Sequence, residues 1–321
     1  MTLPAIFDTL RLPAVGAPLF IISNPDLVIA QCKAGIVGSF PALNAREAEG
    51  DPPLLDAWLK QITEELDRYN QANPDAPAAP YAVNQIVHRS NNRLERDLEI
   101  CHKWNVPLWI TSLGARVEVN EAAHDCGGIT LHDIINDRFA RKAIEKGADG
   151  LIAVASGAGG HAGSWSPFAL IQEIRKWFDG PLLLSGSIAT GDAILAAQAM
   201  GADLAYLGSA FIPTDEANAV QGYKQMIVDS GADDIVYSNL FTGIHGNYLK
   251  GSIEAQGMDP DDLPESDPKA MNFSDTAKKP KSWKEIWGAG QGVGAIDAIE
   301  PTAKVVARLQ REYSAARSRL L

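Results

Sequence analysis

Cysteine is scarce in this chain: Cys32, Cys101 and Cys126 are three thiols in 321 residues, odd in number and without C-x-x-C spacing. Such usage argues against a disulfide framework and fits free thiols in a reducing compartment. Basic charge is also short, with 28 Lys and Arg against 40 Asp and Glu, a formal net charge of −12. That balance repels a phosphate-rich polymer, so no nucleic-acid partner is expected. No apolar run approaches the ~18 residues of a membrane span, and no basic amphipathic stretch favours an anionic bilayer. The opening MTLPAIFDTLRLP lacks a basic leader followed by an apolar run. The expectation is a cytoplasmic globular protein.

Several chemical signatures are missing as well. There is no G-x-x-x-x-G-K-[ST] loop for a triphosphate and no G-x-S-x-G elbow for an acyl hydrolase. An early strand–G-x-G-x-x-G–helix unit for a dinucleotide is absent. No H-x-x-x-H pair or Cys/His cluster appears, so no metal site is expected.

What is present is a strand reading followed by a helix reading, repeated. Short runs rich in Val, Ile and Leu suit strands buried on both faces. They fall at Val15–Ile22, Gly35–Phe40, Tyr81–Val87, Pro107–Ser112, Gly128–His132, Gly150–Ala155, Pro181–Ser185 and Ala205–Leu207. Helical stretches follow them, among them Leu54–Tyr69, Asn91–Trp104, Arg138–Lys146, Phe168–Phe178, Asp192–Met200 and Asn218–Ser230. Eight alternations within about 230 residues predict an α/β fold, a (β/α)8 TIM barrel, in preference to an open doubly wound sheet. Residues 1–235 would form the barrel and 236–321 a C-terminal extension near its mouth. That extension holds a glycine-rich segment at Asn239–Leu249, a polar excursion at Gln256–Lys281, a second glycine-rich segment at Trp283–Gly294 and a closing helix from Pro301.

In a barrel, chemistry sits on loops at the carboxyl ends of the strands, and phosphate is commonly held after strands seven and eight. Strand seven ends in Ser185-Gly186-Ser187 and strand eight in Leu207-Gly208-Ser209. Glycine lets backbone N–H groups approach phosphate oxygens, and serine adds hydroxyl donors. The helix opening at Thr190-Gly191-Asp192 would add its N-terminus. Tight turns without a ligand are the alternative for each glycine taken alone.

The loop after strand six, Ser156–Ser164, sets His161 among four glycines. A backbone of that kind, with Gly159 and Gly160, can lie against a planar ring, and the imidazole can act as a base near neutrality. A solvated loop histidine is the competing reading. Ala17-Pro18 suits either a bend beneath a ring or plain strand termination. Asn84-Gln85 suits either a pyrimidine-like ring edge or loop solvation. His132 and Asp133 end strand five, His245 lies in the first glycine-rich segment, and His88, His102 and His124 read as surface residues.

Together these residues resemble the nitronate monooxygenases, formerly called 2-nitropropane dioxygenases. The resemblance is carried by Ala17-Pro18, Asn84, Gly159-Gly160-His161-Ala162-Gly163, Leu184–Ile188, Gly201-Ala202-Asp203, Leu207–Phe211 and Trp287–Gln291. It implies FMN, bound through its phosphate by Gly186, Ser187, Gly208 and Ser209, with the ring near Ala17, Pro18 and Asn84. It makes His161 the base toward a nitroalkane or the group that orients a nitronate, and O2 the oxidant, with a carbonyl compound and nitrite as products. Enoyl thioester reductases and NADH:quinone reductases share this frame, so an NAD(P)H-dependent flavin reductase is the second enzymatic reading. A flavin-binding scaffold is the non-enzymatic one. A barrel like that of inosine-monophosphate dehydrogenase needs a cysteine after strand six, and Ser156–Ser164 has none. Three departures from the family pattern stand out: Asp133 where members often carry lysine, Ser187 in place of a second glycine, and the Gln256–Lys281 excursion.

Overall fold

The computed structural model of the chain describes residues 3–47, 53–266 and 285–320. Eight parallel strands run β1 (Ala14–Gly16), β2 (Gly38–Pro41), β3 (Tyr81–Ile86), β4 (Leu108–Ser112), β5 (Ile129–Ile134), β6 (Gly150–Val154), β8 (Leu182–Ser185) and β9 (Leu204–Leu207). Neighbours in sequence pair in space, and β1 pairs with β9. A parallel bridge between Val15 and Val37 closes the ring, with the Gly16 N–H donating to the Val37 carbonyl at 2.8 Å. The fold is a (β/α)8 barrel.

Strand periodicity explains why these runs are apolar throughout. Side chains alternate between faces: Leu108 and Ile110 of β4 pack inside the barrel with Val15, Leu131, Ile152 and Leu204, whereas Trp109 packs outward with Val83, Ile100 and Ala123. Both faces are buried, so neither needs polar residues until the strands end. Phe7, in a short turn of helix near the start of the chain, joins the interior cluster. Each large side chain buried in this way contributes ~1.5–3 kcal/mol.

The outer ring is formed by α1 (Pro25–Ala34), α2 (Leu54–Ala72), α3 (Leu94–Lys103), α4 (Val117–Asp125), α5 (Asp137–Glu145), α6 (Pro167–Arg175) and α7 (Gly191–Met200). Its eighth place, between α7 and α1, is taken by the last helix, α10 (Thr302–Leu320), rather than by α8 (Gln221–Asp229). Val305, Val306 and Leu309 of α10 are buried in the cluster that holds Ile194 and Leu207.

A second, antiparallel sheet stands outside the barrel strands. β10 (Ile235–Ser238) pairs with β11 (Gly246–Leu249), which pairs with the two-residue β7 (Gly160–His161). A short helix, α9 (Lys250–Glu254), follows it. The part of the Gln256–Lys281 excursion beyond residue 266 lies outside the described residues, as does Trp283. The first strand is shorter than the Val15–Ile22 run suggests, because Pro18 brings no N–H to the ladder and β1 stops at Gly16. Among the described residues, no helix is long and apolar enough to cross a membrane.

Candidate active site

A cavity of about 850 Å³ opens at the carboxyl ends of the barrel strands. All ten residues singled out for the site line it: Ala17, Pro18, Asn84, Gly159, Gly160, His161, Gly186, Ser187, Gly208 and Ser209. Its volume lies within the ~300–1,000 Å³ of small-molecule and cofactor sites.

The two serine turns are neighbours because their strands are: Ser185 of β8 is in register with Tyr206 of β9, and each turn follows within two residues. The segment from Gly290 to Gly292 touches both. The Gly290 N–H donates to Ser209 Oγ at 2.8 Å, and Gly292 lies against the Ser187 backbone. Ser209 accepts there, which leaves its own hydroxyl proton to donate to an anion. Ser187 adopts φ +56, a left-handed conformation uncommon for a side-chain residue, and its N–H donates to the Gly157 carbonyl at 3.3 Å. Gly157 itself has φ +81, and a Cβ there would stand 2.2 Å from Ser187 Oγ. The serine hydroxyl thus occupies the space that glycine leaves.

The N-terminus of α7 does not face this cavity, contrary to the expectation for Thr190-Gly191-Asp192. The Gly191 N–H donates to Glu312 Oε2 of α10 at 2.8 Å, and a Cβ on Gly191 would collide with the α10 backbone. The closing helix takes the Gly191 N–H, and the Thr190 hydroxyl accepts that of Ala193.

His161 is held by the outer sheet. Its Nε2 lies 3.0 Å from Thr242 Oγ1, whose hydroxyl donates to the Ile244 carbonyl at 3.0 Å. With the hydroxyl proton on that carbonyl, the imidazole would donate to Thr242 through Nε2. His245, from the same segment, is exposed and stacks on Tyr237.

The barrel interior supplies the floor. Two-residue periodicity from the interior residues Ile110, Leu131 and Leu204 points Ser112, Asp133 and Tyr206 inward, and all three line the cavity. Asn84 Nδ2 donates to Ser112 Oγ at 2.7 Å and to the Ile110 carbonyl at 3.2 Å. Ser112 in turn donates to Asp133 Oδ2. The other carboxyl oxygen, Asp133 Oδ1, is wholly covered and has no hydrogen-bond partner among the described residues. Burial pushes the Asp133 carboxyl up to about 7, against the pull of the Ser112 hydroxyl. Tyr206 is raised well above its ordinary value, by burial and then by the nearby acid. His132, on the opposite face of β5, sits 2.6 Å from Thr111 Oγ1 and is lowered to about 4 by burial.

The mouth carries apolar side chains. Asn44, itself buried, clamps the loop after β1: its Oδ1 accepts from the Ile21 N–H, and its Nδ2 donates to the carbonyls of Leu19 and Ser23. Phe20 and Ile21 are thereby exposed at the rim. Tyr223 stacks on Trp287 at 4.9 Å and donates to the Gly288 carbonyl, fixing the wall opposite.

A cavity at the carboxyl ends of the barrel strands, lined by paired glycine-serine turns and a held imidazole, is the arrangement of a barrel enzyme. The chain belongs to the nitronate monooxygenase family, whose model matches residues 7–312, and with that family it is a flavin-dependent oxidoreductase. It is 26% identical to a nitronate monooxygenase of Paraburkholderia phytofirmans over 94% of this chain and 92% of that protein. It is 27% identical to a probable nitronate monooxygenase of Staphylococcus haemolyticus over 59% of this chain and 53% of that protein. Among solved structures, a nitroalkane oxidase from Streptomyces ansochromogenes superposes with a TM-score of 0.78 at 22% identity, covering 99% of this chain and all of that one. FabK from Thermotoga maritima does so at 0.76 and 20%, covering 100% of this chain and 99% of that one. At such identities the two superpositions establish the fold alone.

The cavity fits a flavin in kind: it offers serine hydroxyls at the paired turns and amide and carboxyl groups on the floor.

Proposed function

We propose that this chain oxidises alkyl nitronates and nitroalkanes with O2, using FMN, to a carbonyl compound and nitrite. The observation that carries the reading is the placement of His161. Its imidazole is fixed by Thr242 on the wall of the same cavity that holds the Gly186-Ser187 and Gly208-Ser209 turns. In this reading Ser187, Ser209 and the backbone of Gly186 and Gly208 hold the phosphate. Ala17, Pro18, Asn84, Gly159 and Gly160 surround the ring. His161 takes the acidic proton on the carbon that bears the nitro group, or orients a nitronate already formed. Phe20 and Ile21 shield the mouth and keep the alkyl part of the substrate out of water. The bound flavin would supply the one-electron exchange between nitronate and O2.

The test is the visible spectrum of the purified protein, followed by anaerobic mixing and an aerobic nitrite assay. A yellow protein bleached by a nitronate and releasing nitrite in air supports the reading. Rapid bleaching by NADH with no nitrite release would replace it with a flavin reductase, and a colourless protein would remove flavin altogether.

A further inference from the structure

Asp133 has no part in the chemistry assigned above, yet it stands on the floor of the cavity at the end of a chain of fixed groups. Asn84 is anchored to the β4 backbone, Ser112 is anchored to Asn84, and Asp133 Oδ2 accepts from Ser112. Each link joins adjacent barrel strands, so the carboxyl group is held in one orientation. Its Oδ1 is covered and has no partner among the described residues. Ser112 and Asn84 face it from β4 and β3, and Tyr206 faces it from β9 as a neutral phenol. His132, on the other face of its own strand and bonded to Thr111, reaches the same cavity. Arg46, Lys142, His161 and Glu285 line it as well. Among the described residues neither Arg46 nor Lys142 forms an ion pair with Asp133, and His161 is held at the wall by Thr242.

A covered carboxylate oxygen with neither a donor nor a cation is costly, and most of that cost goes when the group is neutral. We propose that Asp133 is a flavin-facing residue whose carboxyl group is protonated, so that the cavity floor is neutral beneath the polar edge of the bound ring and becomes negative only as Asp133 ionises. This assignment rests on the flavin reading above. The neutral acid sets no charge against an electron-rich ring, and it gains a negative charge only when it ionises.

Asparagine has the same shape and cannot ionise, so Asp133→Asn removes the charge and little else. Sulfite affinity of the flavin-loaded protein is the first measurement, because adding sulfite makes the ring more negative. Wild type and Asp133→Asn should bind sulfite equally at pH 5.5. At pH 8.5 wild type should bind about tenfold more weakly than the variant, the equivalent of one pKa unit of differential interaction. His161 is present in both proteins and cancels in the ratio. The second measurement is the infrared spectrum, in which a protonated-carboxyl band should be present at pH 5.5, weaken through neutrality and be absent from the variant. A yellow protein with the same sulfite ratio at both pH values, or without that band at pH 5.5, overturns the proposal while leaving the flavin reading intact. A colourless protein overturns both.

Discussion

The imidazole Nε2 of His161 lies 3.0 Å from the hydroxyl of Thr242, although 81 positions separate the two residues in the chain. The contact exists because β7, two residues long, adds to β11 and so brings the glycine loop after β6 against the segment that follows β10. The orientation of this imidazole therefore comes from outside the barrel.

Replacing Thr242 with valine keeps the shape and removes the acceptor. The expected result is a loss of about tenfold in kcat for nitrite release at unchanged flavin content, because the base is still present but no longer aimed. Replacing His161 with alanine should cost ~10²–10⁴ in rate, the usual contribution of a positioned base. Steady-state nitrite assays on the two variants check both. Equal losses would mean that Thr242 does more than orient, and no loss in either would remove His161 from the chemistry.

Gly157→Ala should release flavin. The new methyl group would need the space of the Ser187 hydroxyl, which lies 2.2 Å from the ideal Cβ position, and the residue has φ +81. Gly127 supplies the control, since it has φ +77 with nothing within 4 Å of its Cβ position. Both substitutions should lower stability by about 1–2 kcal/mol through backbone strain. Only the first should weaken FMN binding, by tenfold or more, measured by fluorescence titration of the apoprotein. Equal weakening in both would assign the effect to strain rather than to Ser187.

Glu312→Ala addresses what α10 does. The carboxylate receives the Gly191 N–H and pairs with Arg308 at 2.8 Å, so it caps α7 from the neighbouring helix. Loss of a charge-assisted hydrogen bond of this kind costs ~1.5–3 kcal/mol. Denaturant melts should show that loss with flavin affinity unchanged. A large fall in flavin affinity at unchanged stability would return the α7 N-terminus to the phosphate site.

The barrel was legible because β4 and its neighbours are buried on both sides, which writes continuous apolar runs such as Leu108–Ile110 into the chain. The paired turns were legible because glycine and serine recur at two consecutive strand ends. What the runs concealed was the floor. Once Leu131 is known to point into the barrel, Asp133 must as well, but a run apolar on both faces does not say which face is which. Thr242 was hidden for a different reason. β7 and β11 are too short for periodicity, and their pairing is a long-range event with no local mark beyond the glycines around it. The place of α10 was equally illegible, because nothing local tells a closing helix to fill the gap between α7 and α1.

The opposed burial of Asp133 and His132 makes a prediction about stability of the protein without ligand. Asp133 titrates near 3.8 when unfolded and at about 7 when folded. Between those values the folded chain holds a proton that the unfolded chain has lost, so this group's contribution falls as pH rises from about 4 and levels off above 7. His132 works the other way: its value drops from 6.5 to about 4, so the unfolded chain holds the extra proton and stability rises across that interval. In wild type the two slopes oppose each other up to pH 6.5. Asp133→Asn removes one of them. The variant should gain on wild type as pH rises from 4 to 7, by roughly 2–4 kcal/mol in total at ~1.4 kcal/mol for each pH unit between the two values, and hold that gain at pH 8. His132→Gln should do the reverse, with wild type gaining on the variant only between pH 4 and 6.5. Thermal melts of the three proteins at half-unit intervals from pH 4 to 8 measure both differences. A gap between Asp133→Asn and wild type that does not change with pH would show that the Asp133 carboxyl titrates alike in the folded and unfolded chain, and is not held in the covered position that raises it.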